Sequence, residues 1–463
     1  MSQSHHQLGR AASPYPGHRS RPGSKTGRRG GSPAPPRALA ELRFGHPRAT
    51  VAFWRDVVTR ALRRQATPFY LFSVEPIRDA LAELERFDRA LPVPVRHWLS
   101  CKTQPLAPLL QWWRRQGRGI EVVSEFEFLA ARAEGFRAEN ILVNGPAKHH
   151  WLPRHAIAGL SVNFDSAREL DALLPLAQRL GWRVGIRCLT RAEFDPENPK
   201  RPTQFGFEPA EAVAALRRLQ RAKVRLEIIH FHLRTNVESP DVYERAMIEV
   251  ATICRAARFA PKILDCGGGW PPPHTRARDG RAFAADFDLA ELAVMYRRIL
   301  SRFPGLRELW LENGRWLTAR SGVLVMRVLD VKQRRGLRQL ICDGGRTNQA
   351  LVSHWEQHEL LIVPVRRGPT CLTAVHGPTC MAFDQVSCRR LPWAIRPGDV
   401  LVWLDAGAYH LPWETRFSHG LSAVLWHEDN ALRVARDAED FTSWWKGWMV
   451  TRSPGGCPVR RED

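Results

Sequence analysis

Lysine is scarce in this chain, with 8 lysines against 61 arginines. Lys102 stands out because it closes the apolar run 95–101 (VRHWLSC). An amine at a strand end can form an imine with a carbonyl. Other residues with chemistry to offer lie at or just past the ends of similar runs. They are Glu121 and Ser124, Asn144, Asn163 and Asp165, Arg187, then His230, His232 and Thr235. Gly267, Gly268 and Gly269 follow, and last come Glu312, Gly314 and Arg315. Consecutive glycines let backbone N–H groups approach a phosphate closely. An imidazole is flat enough to stack on a ring, a carboxylate can pair with a ring nitrogen, and arginine can grip phosphate. Each residue alone has a plainer explanation. A strand-end lysine is usually solvated, a glycine run is usually a turn, and Glu312 with Arg315 can be a simple ion pair.

The elements that would position these residues are legible as a pattern. Short apolar runs fall at 95–101, 120–124, 141–145, 160–165, 183–189, 225–233, 262–266 and 308–312, with helical periodicity between them at 125–135, 166–180, 209–222 and 241–258. Eight strands alternating with helices predict a TIM-type (β/α)8 barrel over 73–318, whose site lies at the C-terminal ends of the strands. Residues 319–440 read as β-rich and predict a C-terminal β-barrel or sandwich domain. Residues 48–72 form an N-terminal segment expected to pack on that domain. Residues 1–47 are expected to be a disordered basic tail, because they hold too little apolar surface to offset ordering entropy. A C-terminal extension, 441–463, carries Trp444, Trp445 and Trp448, expected to serve packing.

Composition narrows the class. The 463 residues carry a formal charge of +22, and 44% are apolar. That argues against disorder throughout. No apolar run is long enough to span a bilayer and no signal peptide is seen, so no membrane association is expected. Nine scattered cysteines form no CxxC pair, which argues against a zinc cluster and fits a cytoplasmic location. Residues 1–48 hold nine basic residues and one acid, and the remaining charge is diffuse arginine. Nucleic-acid binding is the reading from a different class. It lacks a clustered basic stripe or a known motif.

Taken together, the strand-end residues meet the needs of pyridoxal 5'-phosphate, an electron sink held as a Schiff base on lysine. No metal is expected. At this level the chain resembles the fold-type III pyridoxal-phosphate-dependent amino-acid decarboxylases, a group that includes ornithine, arginine and diaminopimelate decarboxylases. The resemblance covers roughly residues 50–430 and keeps motif order. HWLSCKTQPLAPLL looks like the Schiff-base motif and implies Lys102 as the anchor. GRGIEVVSEFEF puts Glu121 in the place of an acid near the cofactor. IIHFHLRTN implies that His232 stacks on the ring and that Thr235 replaces a phosphate-binding serine. LDCGGGWP resembles the phosphate-binding glycine loop, Gly267–Gly269. ENGRW implies that Glu312 keeps the ring nitrogen protonated and that Arg315, beside Gly314, grips phosphate. Arg187 falls among the cofactor-binding positions.

In the second domain, GPTC at 377–380 resembles the cysteine motif, and DAGAY at 405–409 the tyrosine motif, giving Cys380 and Tyr409. GPTC also occurs at 368–371, but Asp384 follows Cys380 at the family's spacing. The resemblance implies a homodimer whose sites take Cys380 from the partner chain, where it or a nearby water protonates Cα. The substrate would meet Arg315, Cys380, Met381 and Tyr409.

The chain also departs from the family. Met381 replaces the acid that binds a distal ammonium in ornithine- and diaminopimelate-type members. Leu351 and Trp355 stand where diaminopimelate enzymes carry arginine and tyrosine, and Arg346, His354 or Glu356 are candidate substitutes. Arg234 replaces a glycine beside the phosphate site. These departures predict decarboxylation of a larger or modified amino acid, an intermediate or a carrier-linked aminoacyl group. A racemase on the same barrel is the nearest alternative.

Overall fold

The computed structural model describes residues 45–195, 198–349 and 352–449. Most of the basic tail, Leu351 and the end of the C-terminal extension lie outside the described residues. The described chain begins with a helix, Arg48–Ala61, and strand β1, Phe69–Ser73. Seven strands follow: β2 Val95–Ser100, β3 Gly119–Val122, β4 Ile141–Val143, β5 Ser161–Phe164, β6 Arg183–Arg187, β7 Arg225–His230 and β8 Ile263–Asp265. A two-residue strand, β9 (Arg276–Ala277), precedes β10 (Glu308–Asn313). Strands β2–β8 and β10 close into a barrel in the order β10-β2-β3-β4-β5-β6-β7-β8, every neighbour parallel. Helices begin abruptly after the strands because polar residues cap them. Ser124 Oγ accepts from the Glu127 N–H, and Ser166 Oγ from the Glu169 N–H.

The barrel interior is built in layers by the two-residue alternation of strand side chains. Trp98, Leu142, Ile228, Ile263 and Trp310 form an apolar plug. Gly119 is required there, since a Cβ would come 2.5 Å from the Trp98 ring. Two residues further along the same strands the side chains turn polar: Ser100, Glu121, Asn144, His230, Asp265 and Glu312, all buried. The apolar layer excludes water below, and the polar layer carries chemistry above.

The second part contains β11 Gly322–Arg334, β12 Leu337–Cys342, β13 Glu356–Gln357, β14 Leu360–Val363, β15 Thr370–His376, β16 Gln385–Pro392, β17 Val400–Trp403, β18 Ala423–Glu428 and β19 Ala431–Arg436. Among the described residues all of these except β13, together with β1, give one nine-stranded, mostly antiparallel sheet, with the path β16-β15-β12-β11-β1-β18-β19 and with β17 joining β11 to β14. The β-rich pattern of 319–440 thus becomes a single sheet. Strand β1 runs antiparallel to β11 and parallel to β18, in the middle of it. Alternation divides its residues between two cores. Phe69 and Leu71 face Trp54, Val57 and Val58 of the helix Arg48–Ala61. Tyr70 and Phe72 join the large core shared with the barrel. β9 pairs with β13, tying the loop after β8 to the sheet part. Trp444, Trp445 and Trp448 do not enter a core. Trp445 stacks on Trp444 and Phe441, Trp448 lies tilted against Trp444, and Trp445 and Trp448 stay exposed.

Candidate active site

Lys102 lies on a tight turn, Cys101–Thr103, directly after β2. The Thr103 hydroxyl donates to the Ser100 carbonyl at 2.8 Å and closes the turn. The sheet part holds the turn from above, where the Tyr409 N–H donates to the Thr103 carbonyl (2.8 Å) and the Gln104 amide donates to the Gly407 carbonyl (2.9 Å). The loop that reaches in, 405–409, is bent sharply. Asp405 and Tyr409 both have positive φ, +58° and +65°, conformations that non-glycine residues keep only when their surroundings enforce them. A Cβ at Gly407 would collide with the Thr318 carbonyl.

Lys102 Nζ donates to Glu121 Oε2 at 2.8 Å, and Glu121 is buried. Burial alone would lower the lysine's pKa. Glu121 and Glu312 outweigh it and hold the ammonium above its ordinary value. Glu312 sits at the end of β10. Its Oε1 accepts from the Asn144 amide at 2.7 Å, and its Oε2 lies 3.3 Å from His232 Nδ1. Behind it, Asn163 donates to Asn144 Oδ1 and to Asp265 Oδ2, each at 3.0 Å, and His230 Nδ1 lies 3.1 Å from Asp265 Oδ2. Burial pushes Asp265 up to about 8 and His230 down to about 4, so both lean toward neutral forms. Burial also raises Glu312, with Asp265 adding to it. His230, Asp265 and Glu312 come within metal-ligand reach of one another. Three of the acids' four oxygens accept from Asn144, Asn163 and the Gly267 N–H.

His232 stands one strand-period above His230. Burial, followed by Arg187 and Lys102, holds its pKa well below the usual imidazole value, so the ring is neutral. The glycine turn wraps this ring. The Gly268 N–H donates to His232 Nδ1 at 3.2 Å, and Tyr243 fixes the turn by donating to the Gly268 carbonyl at 2.7 Å. A Cβ at Gly267 would meet His232 Nδ1 at 2.6 Å, and one at Gly268 would meet the Glu312 carbonyl at 2.6 Å. Arg315 lies just past Gly314. Its guanidinium stacks on the Tyr409 ring at 4.6 Å and pairs with the buried carboxylate of Glu356.

The structure thus gathers Lys102, His232, Thr235, Gly268, Gly269, Glu312, Gly314, Arg315 and Tyr409 around one pocket. Glu121 and Gly267 touch it through Lys102 and His232. Arg187 does not line it. Its guanidinium is bonded to Glu193 at 2.5 Å and stacks on Phe205 at 4.4 Å. Cys380 and Met381 do not line it either, and Cys380 is exposed on the turn after β15. Asn144, Asp265 and Glu356 matter more than their isolated sequence positions suggested. The signal for the first two was their register, two residues past apolar interior positions. Glu356 had no such signal, because β9 and the sheet part place it.

These residues fit pyridoxal phosphate. The pocket offers an amine for a carbonyl and a buried acid for a ring nitrogen. A neutral flat ring faces it, with glycines where any Cβ would intrude and an arginine at the rim.

Comparison with known proteins agrees with that fit. The family described as "Pyridoxal-dependent decarboxylase, pyridoxal binding domain" matches residues 78–319. A diaminopimelate decarboxylase of Actinosynnema pretiosum subsp. auranticum is 28% identical over 81% of this chain and 87% of its own length. The L-glutamyl-[BtrI acyl-carrier protein] decarboxylase of Niallia circulans is 29% identical over 76% of this chain and 86% of its own. The crystal structure of Helicobacter pylori diaminopimelate decarboxylase with L-lysine superposes with a TM-score of 0.72 at 22% identity, covering 84% of this chain and 99% of that one. The matched segment begins inside the helix Glu75–Arg89, before β2, runs through all eight barrel strands and ends just past Arg315. By sequence and by site, the chain belongs to the pyridoxal-dependent decarboxylases, which are carboxy-lyases.

Proposed function

We propose that the protein removes the α-carboxylate, as carbon dioxide, from an amino acid or amino-acid conjugate other than ornithine or diaminopimelate. The observation that carries this reading is the meeting of Lys102, paired to Glu121, with Glu312, His232 and the glycine turn in one pocket. Pyridoxal phosphate, when bound, takes up the electron pair left on Cα. Lys102 must shed a proton before its nitrogen can bond a carbonyl, and Glu121 Oε2 stands at hydrogen-bond distance to take it and later return it. Glu312 holds a proton at the ring nitrogen, with its own orientation set by Asn144. Neutral His232 offers a ring face without placing a second cation against the protonated ring. Thr235, the glycines, Arg315 and Tyr409 hold the phosphate.

Cys380 of the partner subunit supplies the proton to Cα, in a homodimer with shared sites. Its exposure, away from its own chain's lysine pocket, supports that role. Met381 brings no charge for a distal ammonium, and Trp355 is apolar where a polar substrate contact stands in diaminopimelate enzymes. The relative acting on a glutamyl group of an acyl-carrier protein supports a conjugate as substrate. Carbon dioxide release should be measured across free and side-chain-acylated amino acids. The reading predicts turnover of an acylated substrate above ornithine and diaminopimelate. Faster turnover of either diamino acid would overturn it.

A further inference from the structure

Thr235 and Arg315 line both the lysine pocket and a second cavity of about 910 Å³. Phe194, Phe283 and Trp355 give it apolar walls. Four arginines also line it: Arg234, Arg278, Arg281 and Arg315. Three have carboxylate partners. Arg234 pairs with Glu238, Arg281 with Asp279 and Arg315 with Glu356. Asp195, the other acid on the wall, is already partnered. Among the described residues Arg278 is paired with no carboxylate. Among those residues its guanidinium reaches only the His354 carbonyl, at 3.5 Å.

The backbone of Arg278 is nevertheless fixed. Its N–H donates to the Trp355 carbonyl at 2.9 Å, and its carbonyl accepts from the Gln357 amide at 2.5 Å, beside the β9–β13 pair. The fold therefore holds an arginine at the outer wall and leaves its charge unmatched. An exposed arginine needs no partner for stability. This one is anchored on both sides of its peptide, on the wall of a cavity that shares Thr235 and Arg315 with the lysine pocket. The cavity also lies in the 300–1,000 Å³ range typical of ligand sites, about the size of a drug-like molecule rather than a small amino acid.

We propose that this cavity receives the far end of the substrate and that this end is anionic. The substrate is then an amino acid whose side chain is extended by an acyl linker ending in a carboxylate or a phosphate-like group, with Arg278 as counter-ion. This rests on the decarboxylase reading above and specifies its substrate class.

Three matched probes test it: Nδ-acetyl-L-ornithine, Nδ-succinyl-L-ornithine and Nδ-(phosphonoacetyl)-L-ornithine. They share the reacting end and differ in the far terminus. Wild-type holoenzyme should favour an anionic probe over the acetyl probe in kcat/KM by about tenfold, the scale of one charge-assisted hydrogen bond at a partly solvated site. A succinyl preference identifies a carboxylate, and a phosphonoacetyl preference identifies a phosphate-like end. Arg278→Gln should erase the preference, mainly through KM, while Arg278→Lys keeps part of it. Equal use of the three probes by the wild type, or an equal loss on all three in Arg278→Gln, would overturn the proposal. Binding to the Lys102→Ala variant, followed by calorimetry, separates the two readings. If no probe releases carbon dioxide but the anionic probes still bind more tightly through Arg278, the anion site stands and the decarboxylase reading falls. Equal binding of all three there also overturns the anion site.

Discussion

Arg315 shows how much one side chain here depends on another. It stacks on Tyr409 and is neutralised by Glu356, which is also 3.2 Å from His358 Nε2. Glu356 is held below the usual carboxylate range. Its burial would raise it, but Arg315 and His358 outweigh that. Glu356→Ala would leave the guanidinium without its counter-charge, which costs about 3 kcal/mol for a buried pair. Glu356→Gln keeps an acceptor oxygen and should cost less. Urea denaturation should therefore rank stability as wild type, Gln, Ala, and the cofactor should dissociate most readily from the Ala variant. Lys102, His232, the glycines and Glu312 were legible in the sequence because each ends or follows an apolar run. The Arg315–Glu356 pair was not legible, since it spans two structural parts and 41 positions.

At the scale of elements, the barrel could be read because alternation repeats on strand after strand. The sheet was less legible because its middle strand, β1, precedes the barrel and pairs with β11 and β18 far along the chain. No local pattern announces so distant a partner. The approach to the N-terminal helix contains a further link of this kind. His46 has Nδ1 2.6 Å from Glu359 Oε2 and Nε2 3.1 Å from Asp405 Oδ2, with the His274 ring tilted against it at 4.5 Å. Burial would lower its pKa, but Asp405 and Glu359 outweigh it and raise it from 6.5 to about 9. A raised folded-state pKa stabilises fully below the unfolded value and is lost as pH passes the folded one. The stability difference between wild type and His46→Gln, followed by thermal unfolding, should be constant from about pH 5, above the carboxylate range, to pH 6.5 and shrink between pH 6.5 and about 9. Because Asp405 begins the loop that brings Tyr409 to Lys102, loosening it should also weaken cofactor retention.

At the scale of the whole molecule, the barrel supplies the cofactor's surroundings and the sheet part supplies the roof of the site. The described residues contain no helix long and apolar enough to cross a membrane. The proposed shared site makes a prediction that no single chain can satisfy. Lys102→Ala and Cys380→Ala should each be nearly inactive. Mixed under conditions that exchange subunits, they should recover about a quarter of wild-type activity, because random pairing leaves that fraction of sites intact. Absence of recovery in verified mixed dimers would mean that Lys102 and Cys380 of the same chain serve one site, and an active Cys380→Ala variant would place Cys380 outside the reaction. Borohydride reduction of the holoenzyme, followed by peptide mass mapping, identifies the lysine that carries pyridoxal phosphate. A phosphopyridoxyl mass on the peptide containing Lys102 is the predicted result. A label on another lysine such as Lys148, or no label on a protein that binds the cofactor, would contradict it.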